Sequence, residues 1–156
     1  MARSGTHRPA EPGVSLRALR GTLAVVSLGG VLGALTRYGL GVTFPQPPAV
    51  FPWTTFAVNA SGCLLIGVLM VTITELRQAP AWVRPLLGVG VLGGFTTFST
   101  YVVETGSLLL AGSARTALLY LVATPVTALA AVWAGSALTR STARLLAGRA
   151  EEGPAR

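Results

Sequence analysis

The chain is predicted to be an all-α membrane protein with four transmembrane helices. Three observations predict that class. Only 11% of its 156 residues are charged, and its mean hydropathy is +0.63, whereas a soluble domain carries roughly 25% charged residues. Four apolar segments reach the roughly 20 residues that a helix needs to cross a bilayer. The 12 basic residues are all arginine, and most lie outside those segments. A net charge of +7 would fit nucleic-acid binding in a soluble chain. Here the arginines flank apolar runs, so membrane anchoring and orientation account for them and no nucleic-acid partner is expected.

Residues 1–18 are polar and read as a disordered basic tail. They contain no pattern of a cleavable signal peptide, and the lone His7 reads as a tail residue, not a catalytic one. The first span runs from about Leu19 to Val42. Gly29, Gly30, Gly33 and Ala34 give it a small-residue face for close helix packing. Pro45, Pro47, Pro48 and Pro52 follow, so the connection must be extended rather than helical. The second span runs from about Trp53 to Ile73, with Phe51 and Trp53 at its entrance as interfacial aromatics. Ser61, Gly62 and Gly67 are its small face. Cys63 has no second cysteine to pair with and reads as an apolar filler. A connection with Glu75, Arg77, Pro80, Trp82, Arg84 and Pro85 leads to the third span, from about Leu86 to Ala111. A short turn near Gly112–Arg115 precedes the fourth, from about Thr116 to Leu138. The organisation is thus a tail (1–18), a four-helix transmembrane unit (19–139) and a polar C-terminal tail (140–156).

With four spans, both tails and the second connection share one side of the membrane. That side holds Arg3, Arg8, Arg17, Arg20, Arg77, Arg84, Arg140, Arg144, Arg149 and Arg156; the other holds only Arg115. The bias of arginine toward cytoplasmic loops predicts both termini in the cytoplasm, for a multi-pass protein of a bacterial plasma (inner) membrane.

The most informative stretch is Gly93-Gly94-Phe95-Thr96-Thr97-Phe98-Ser99-Thr100-Tyr101. It crowds two glycines, four Ser/Thr hydroxyls and three aromatic rings into nine residues of an apolar span. Lipid penalises unsatisfied backbone, so irregular structure at that depth belongs where it lines a cavity. The sequence therefore predicts a break in helix 3 that lines a site. Carbonyls at such a break can hold a small cation, and free N–H groups an anion. Phe98 and Tyr101 share a helix face, and their positive ring edges can face an anion. An aromatic pair can equally pack a bundle. Asn59 offers two donors and an acceptor, for a neighbouring helix or for a ligand. Tyr120, Thr124 and Thr127 form a polar stripe on helix 4. Pro125 there removes a helical hydrogen bond and frees the Leu121 carbonyl. Arg37 and Glu104 are costly at depth and lie toward span ends. Both are candidates for a vestibule, and snorkelling of Arg37 to an interface is the simpler alternative.

Helices 1, 2 and 4 contain no acidic residue, which disfavours a proton-coupled cation exporter. No nucleotide-binding loop, metal-ligand cluster or Ser/His/Asp set is present, so no enzyme and no organic cofactor are expected. Neutral donors favour a small anion or a neutral solute moving passively.

Three motifs occur in order: Gly29–Tyr38, Thr55–Gly62 and Gly93–Tyr101. With them the chain resembles the CrcB/Fluc-type fluoride ion channels over roughly Leu19 to Leu138. The resemblance implies passive fluoride export by an antiparallel dimer of four-helix subunits with two pores. It implies a pore built from Asn59, Phe98, Ser99, Thr100, Tyr101, Tyr120 and Thr124, with Thr127 at its margin. It also implies a structural sodium ion on the backbone carbonyls of Gly93 and Thr96. Tyr101 departs from the Phe that the family often has at the second ring position. Fluoride and membrane lipid are then the expected partners. The arginine imbalance adds that this subunit inserts one way and pairs with an oppositely oriented paralogue. A small multidrug exporter would want a carboxylate in helix 1, which is absent; a membrane scaffold subunit is the third alternative.

Overall fold

The computed structural model describes residues 15–76 and 79–151. The first helix, α1, spans Leu16–Thr43. The second, α2, spans Trp53–Val71 and runs on through a π-helical turn at Thr72–Leu76. We treat the π-helical segment Arg84–Leu92 and the turn Gly93–Phe95 together as α3. Next come α4, Ser99–Leu110, and α5, Ala114–Glu151. No strand occurs among the described residues. Four helical stretches are long and apolar enough to cross a membrane: Leu19–Thr43, Trp53–Leu76, Arg84–Leu110 and Ala114–Arg149. The chain is an all-helical, multi-pass membrane protein.

The fourth span, expected to end near Leu138, lies within a longer helix. α5 runs on through the polar residues from 140 to Glu151, giving 38 residues. At about 1.5 Å per residue that is roughly 57 Å, well beyond a hydrocarbon layer of about 30 Å. Thr139–Glu151 is rich in Ala, Leu and Arg, which are strong helix formers, and the Gly153-Pro154 breaker comes only afterwards. Polarity marks where the helix leaves lipid, not where it ends. His7, Arg3, Arg8, Arg77 and Arg156 lie outside the described residues, as do residues 1–14 of the expected N-terminal tail.

Helices pair chiefly as α1 with α3 and α2 with α5, with α4 lying on α5. Glycine makes both main contacts possible. A Cβ on Gly33 would run into the Val91 carbonyl, and one on Gly94 into the Gly30 carbonyl. Across the molecule, a Cβ on Gly135 would meet the Leu64 carbonyl of α2. Lipid gives helices no hydrophobic reason to associate, so van der Waals contact between bare backbones must hold them.

The α4–α5 turn is closed by Gly112 at φ 75°. Ser113 N–H donates to the Leu108 carbonyl (2.9 Å) and Gly112 N–H to that of Leu109 (3.0 Å). Those two bonds and a left-handed glycine are a Schellman ending, which satisfies the last carbonyls of α4. The turn folds α4 back on α5 and creates the buried cluster of Tyr101, Leu108, Ala117 and Tyr120, with Phe51 and Phe56 packed against it. Most other large apolar side chains face outward, as with Leu110 at 92% exposure and Trp133 at 74%. In lipid these are solvent-facing residues.

At the end of α2, Glu75 accepts from Arg140 Nη2 (2.8 Å) and Nε (2.9 Å). Both side chains are almost half exposed, so this forked pair adds little to stability. It marks where α2 and α5 leave the apolar zone together.

Candidate functional site

The site begins where α3 stops. Thr96 turns to extended backbone, with φ −74° and ψ 155°, and helix resumes at Ser99. The three residues between are held from α2. Asn59 Nδ2 donates to the Thr97 carbonyl (2.9 Å), and Thr97 N–H donates to Asn59 Oδ1 (2.8 Å). A buried carboxamide thus takes the place of helical partners. Its second N–H is left over, because an amide nitrogen carries two donors.

Because Thr97 N–H turns to Asn59, the Gly93 carbonyl loses the donor that an unbroken helix would supply. A helix starting at Ser99 also leaves its first N–H groups without helical acceptors. Thr97 Oγ1 accepts that of Thr100 (3.2 Å) and donates to Thr100 Oγ1 (3.0 Å). Ser99 Oγ sits 3.4 Å from Thr97 Oγ1. Gly62 makes room for this junction, since a Cβ there would strike the Thr96 side chain.

A groove of about 720 Å³ runs past the junction, with Asn59, Gly93, Thr96, Phe98, Tyr101 and Thr124 among its lining residues. The ring centroids of Phe98 and Tyr101 lie 5.5 Å apart, tilted by 50°. Their environments differ: Phe98 is 76% exposed on this chain and Tyr101 only 6%. Tyr101 donates its hydroxyl to the Leu121 carbonyl (2.7 Å).

Thr124 is the telling residue of α5. Threonines in helices commonly return their hydroxyl to a carbonyl three or four residues back. Thr105, Thr139 and Thr142 do so here, at 2.7–3.0 Å. Thr124 does not. Among the described residues its Oγ1 is the one buried side-chain oxygen or nitrogen without a partner. A buried hydroxyl left unpaired is costly, and here it lines the groove.

A second, polar recess of about 320 Å³ opens beside the first, lined by Arg37, Thr55, Thr97, Thr100 and Glu104 among others. Arg37 Nε donates to the Gly94 carbonyl (3.2 Å). Glu104 accepts from Thr55 Oγ1 and from Tyr120 OH, each at 2.7 Å. Arg37 and Glu104 therefore share a recess without forming an ion pair with each other. Tyr120, fully buried, lies 5.2 Å from Tyr101 ring to ring and links recess to groove. Among the described residues no group of three His, Cys, Asp or Glu side chains could hold a metal. A cation at this junction would rest on carbonyls.

Residues 24–136 match the family described as CrcB-like protein, Camphor Resistance (CrcB). The chain belongs to the CrcB family. Its CrcB relatives include "Fluoride-specific ion channel FluC 1" of Streptomyces coelicolor, 54% identical over 84% of this chain and 86% of that protein. "Fluoride-specific ion channel FluC 2" of Nocardia farcinica is 51% identical over 76% of this chain and 84% of its own length. "Fluoride-specific ion channel FluC" of Novosphingobium aromaticivorans is 40% identical over 77% and 97% respectively.

The structure brings Asn59, Phe98, Tyr101, Thr124, Gly93 and Thr96 to one groove, and Arg37, Thr100 and Glu104 to one recess. Ser99, Tyr120 and Thr127 line neither of these two cavities, Tyr120 being fully buried behind them. Thr55 and Thr97 stand in the sequence motifs but are not among the expected site residues. Thr55 precedes Asn59 by four residues and so shares its face of α2, which was the available signal. Thr97 had none beyond membership of the hydroxyl cluster.

Proposed function

We propose that this chain is a subunit of a fluoride-specific channel that lets fluoride leave the bacterial cytoplasm passively. The observation that carries this reading is the groove: uncharged donors and ring edges on one path, ending on a buried hydroxyl that no protein atom uses. Fluoride holds its water tightly, so entry requires replacement donors. Asn59 N–H, the Thr124 hydroxyl and aromatic edges are such donors, and none carries a charge that would trap the ion. The names of the CrcB relatives support the same ion.

The subunit is proposed to work as an antiparallel dimer. The groove is open on a single chain, Phe98 is 76% exposed beside it, and a second copy or a paralogue is proposed to close it. A structural sodium ion is proposed at the junction, on the carbonyls of Gly93 and Thr96. The fit rests on the Gly93 carbonyl, whose helical donor is diverted to Asn59. Such an ion would supply positive charge for loose carbonyls. Both termini are assigned to the cytoplasmic side of the plasma membrane, on the arginine bias.

The test is efflux from liposomes holding the purified protein, alone and with an oppositely oriented paralogue, read with fluoride and chloride electrodes. Fluoride release without chloride release is the expected result. No release in either preparation, or equal release of both ions, overturns the assignment.

A further inference from the structure

We propose that Tyr101 is a positioning residue: its hydroxyl covers the Leu121 carbonyl that Pro125 strips of its helical donor, and so keeps a bare oxygen out of the path of the passing anion. The proposal rests on the fluoride-channel reading. Pro125 has no N–H, so the carbonyl four residues before it, that of Leu121, is left open inside α5. Leu121, Thr124, Pro125 and Tyr101 all line the groove. A bare carbonyl oxygen there would carry its partial negative charge into an anion path of low dielectric.

Tyr101, from α4, reaches that oxygen at 2.7 Å. In the structure Tyr101 makes the bond and the Thr124 hydroxyl remains unpartnered. The tyrosine cannot easily swing away, because its ring is clasped between Phe98 at 5.5 Å and Tyr120 at 5.2 Å. One bond therefore does two things. It neutralises a repelling oxygen and fixes the plane of a ring that borders the groove.

The experiment is a double-mutant cycle of Tyr101→Phe and Pro125→Ala. Phenylalanine keeps the ring and removes the cap. Alanine at 125 restores an N–H that can bond the Leu121 carbonyl itself. Tyr101→Phe is expected to lower fluoride efflux about tenfold, equivalent to about 1.4 kcal/mol. The double variant is expected to recover to within about threefold of Pro125→Ala alone. Undiminished efflux in Tyr101→Phe, or an equal loss in both backgrounds, overturns the proposal. Thermal unfolding of the same four proteins in detergent reads the cycle without transport. If the unmodified chain, reconstituted with its oppositely oriented paralogue, carries no fluoride, the function fails, and the capping bond is judged on Tm alone. A Tm loss on Tyr101→Phe that shrinks in the alanine background supports the cap; equal Tm losses overturn it.

Discussion

Asn59 uses both faces of one carboxamide on one residue, Thr97, and that economy is what keeps a gap in the third span. An alanine there would leave the Thr97 N–H and carbonyl unpaired at membrane depth, where water cannot replace the bonds. Asn59→Ala is expected to lower both fluoride efflux and Tm, efflux by about tenfold or more. Thr124 predicts a different split. Its hydroxyl bonds nothing in the protein, so Thr124→Val removes no internal bond and replaces an unpaired oxygen by a methyl group of similar shape. Tm is expected to hold or rise while fluoride efflux falls about tenfold. A Tm drop in that variant would mean that the hydroxyl has a structural partner. The identity of both residues was legible in the chain, because amides and hydroxyls inside apolar spans are rare enough to notice. Their roles were not. A helical threonine ordinarily bonds its own backbone, and only the structure shows that Thr124 does not.

At the scale of elements, the third span works because its two pieces are gripped separately. The α3 piece lies against α1, with Gly90 and Gly94 facing Gly29 and Gly30 at backbone contact. The α4 piece lies on α5 through the tyrosine cluster. Gly33→Ala drives a Cβ into the Val91 carbonyl, and neither backbone can yield without opening the helix pair. Tm is expected to drop by several degrees, with roughly 1–3 kcal/mol lost to overpacking. Gly21→Ala is the control, since nothing lies within 4 Å of the added atom; its Tm is expected to stay level or rise. Equal losses at the two sites would contradict the close packing described. The small-residue faces of the first two spans could be read from sequence. Which helix each one met could not, because a stripe of small residues does not name its partner. The length of α5 was not legible from the span that ends near Leu138, because helix propensity continues past the membrane boundary.

On the scale of the whole molecule, arginine placement and pore geometry pull in different directions. An antiparallel dimer needs both insertions, yet the arginines flanking the spans fall almost wholly on one side. A chain so biased is expected to insert one way. Expressed alone in a fluoride-sensitive bacterium without its own exporter, it is expected to give little protection; co-expression with an oppositely oriented paralogue restores growth on fluoride. Full rescue by this chain alone would contradict obligate pairing with a paralogue.

By itself the sequence determined the class, the number of spans and the family, since each follows from residue types within a short window and from what lipid tolerates. The tertiary structure decided which polar groups satisfy one another. Asn59 meets Thr97 across 38 residues, Thr55 meets Glu104 across 49, and Tyr101 meets Leu121 across 20. In a bilayer a polar group must find its partner within the protein. Whether a hydroxyl serves the fold or is left for an ion therefore depends on neighbours that are distant in the chain.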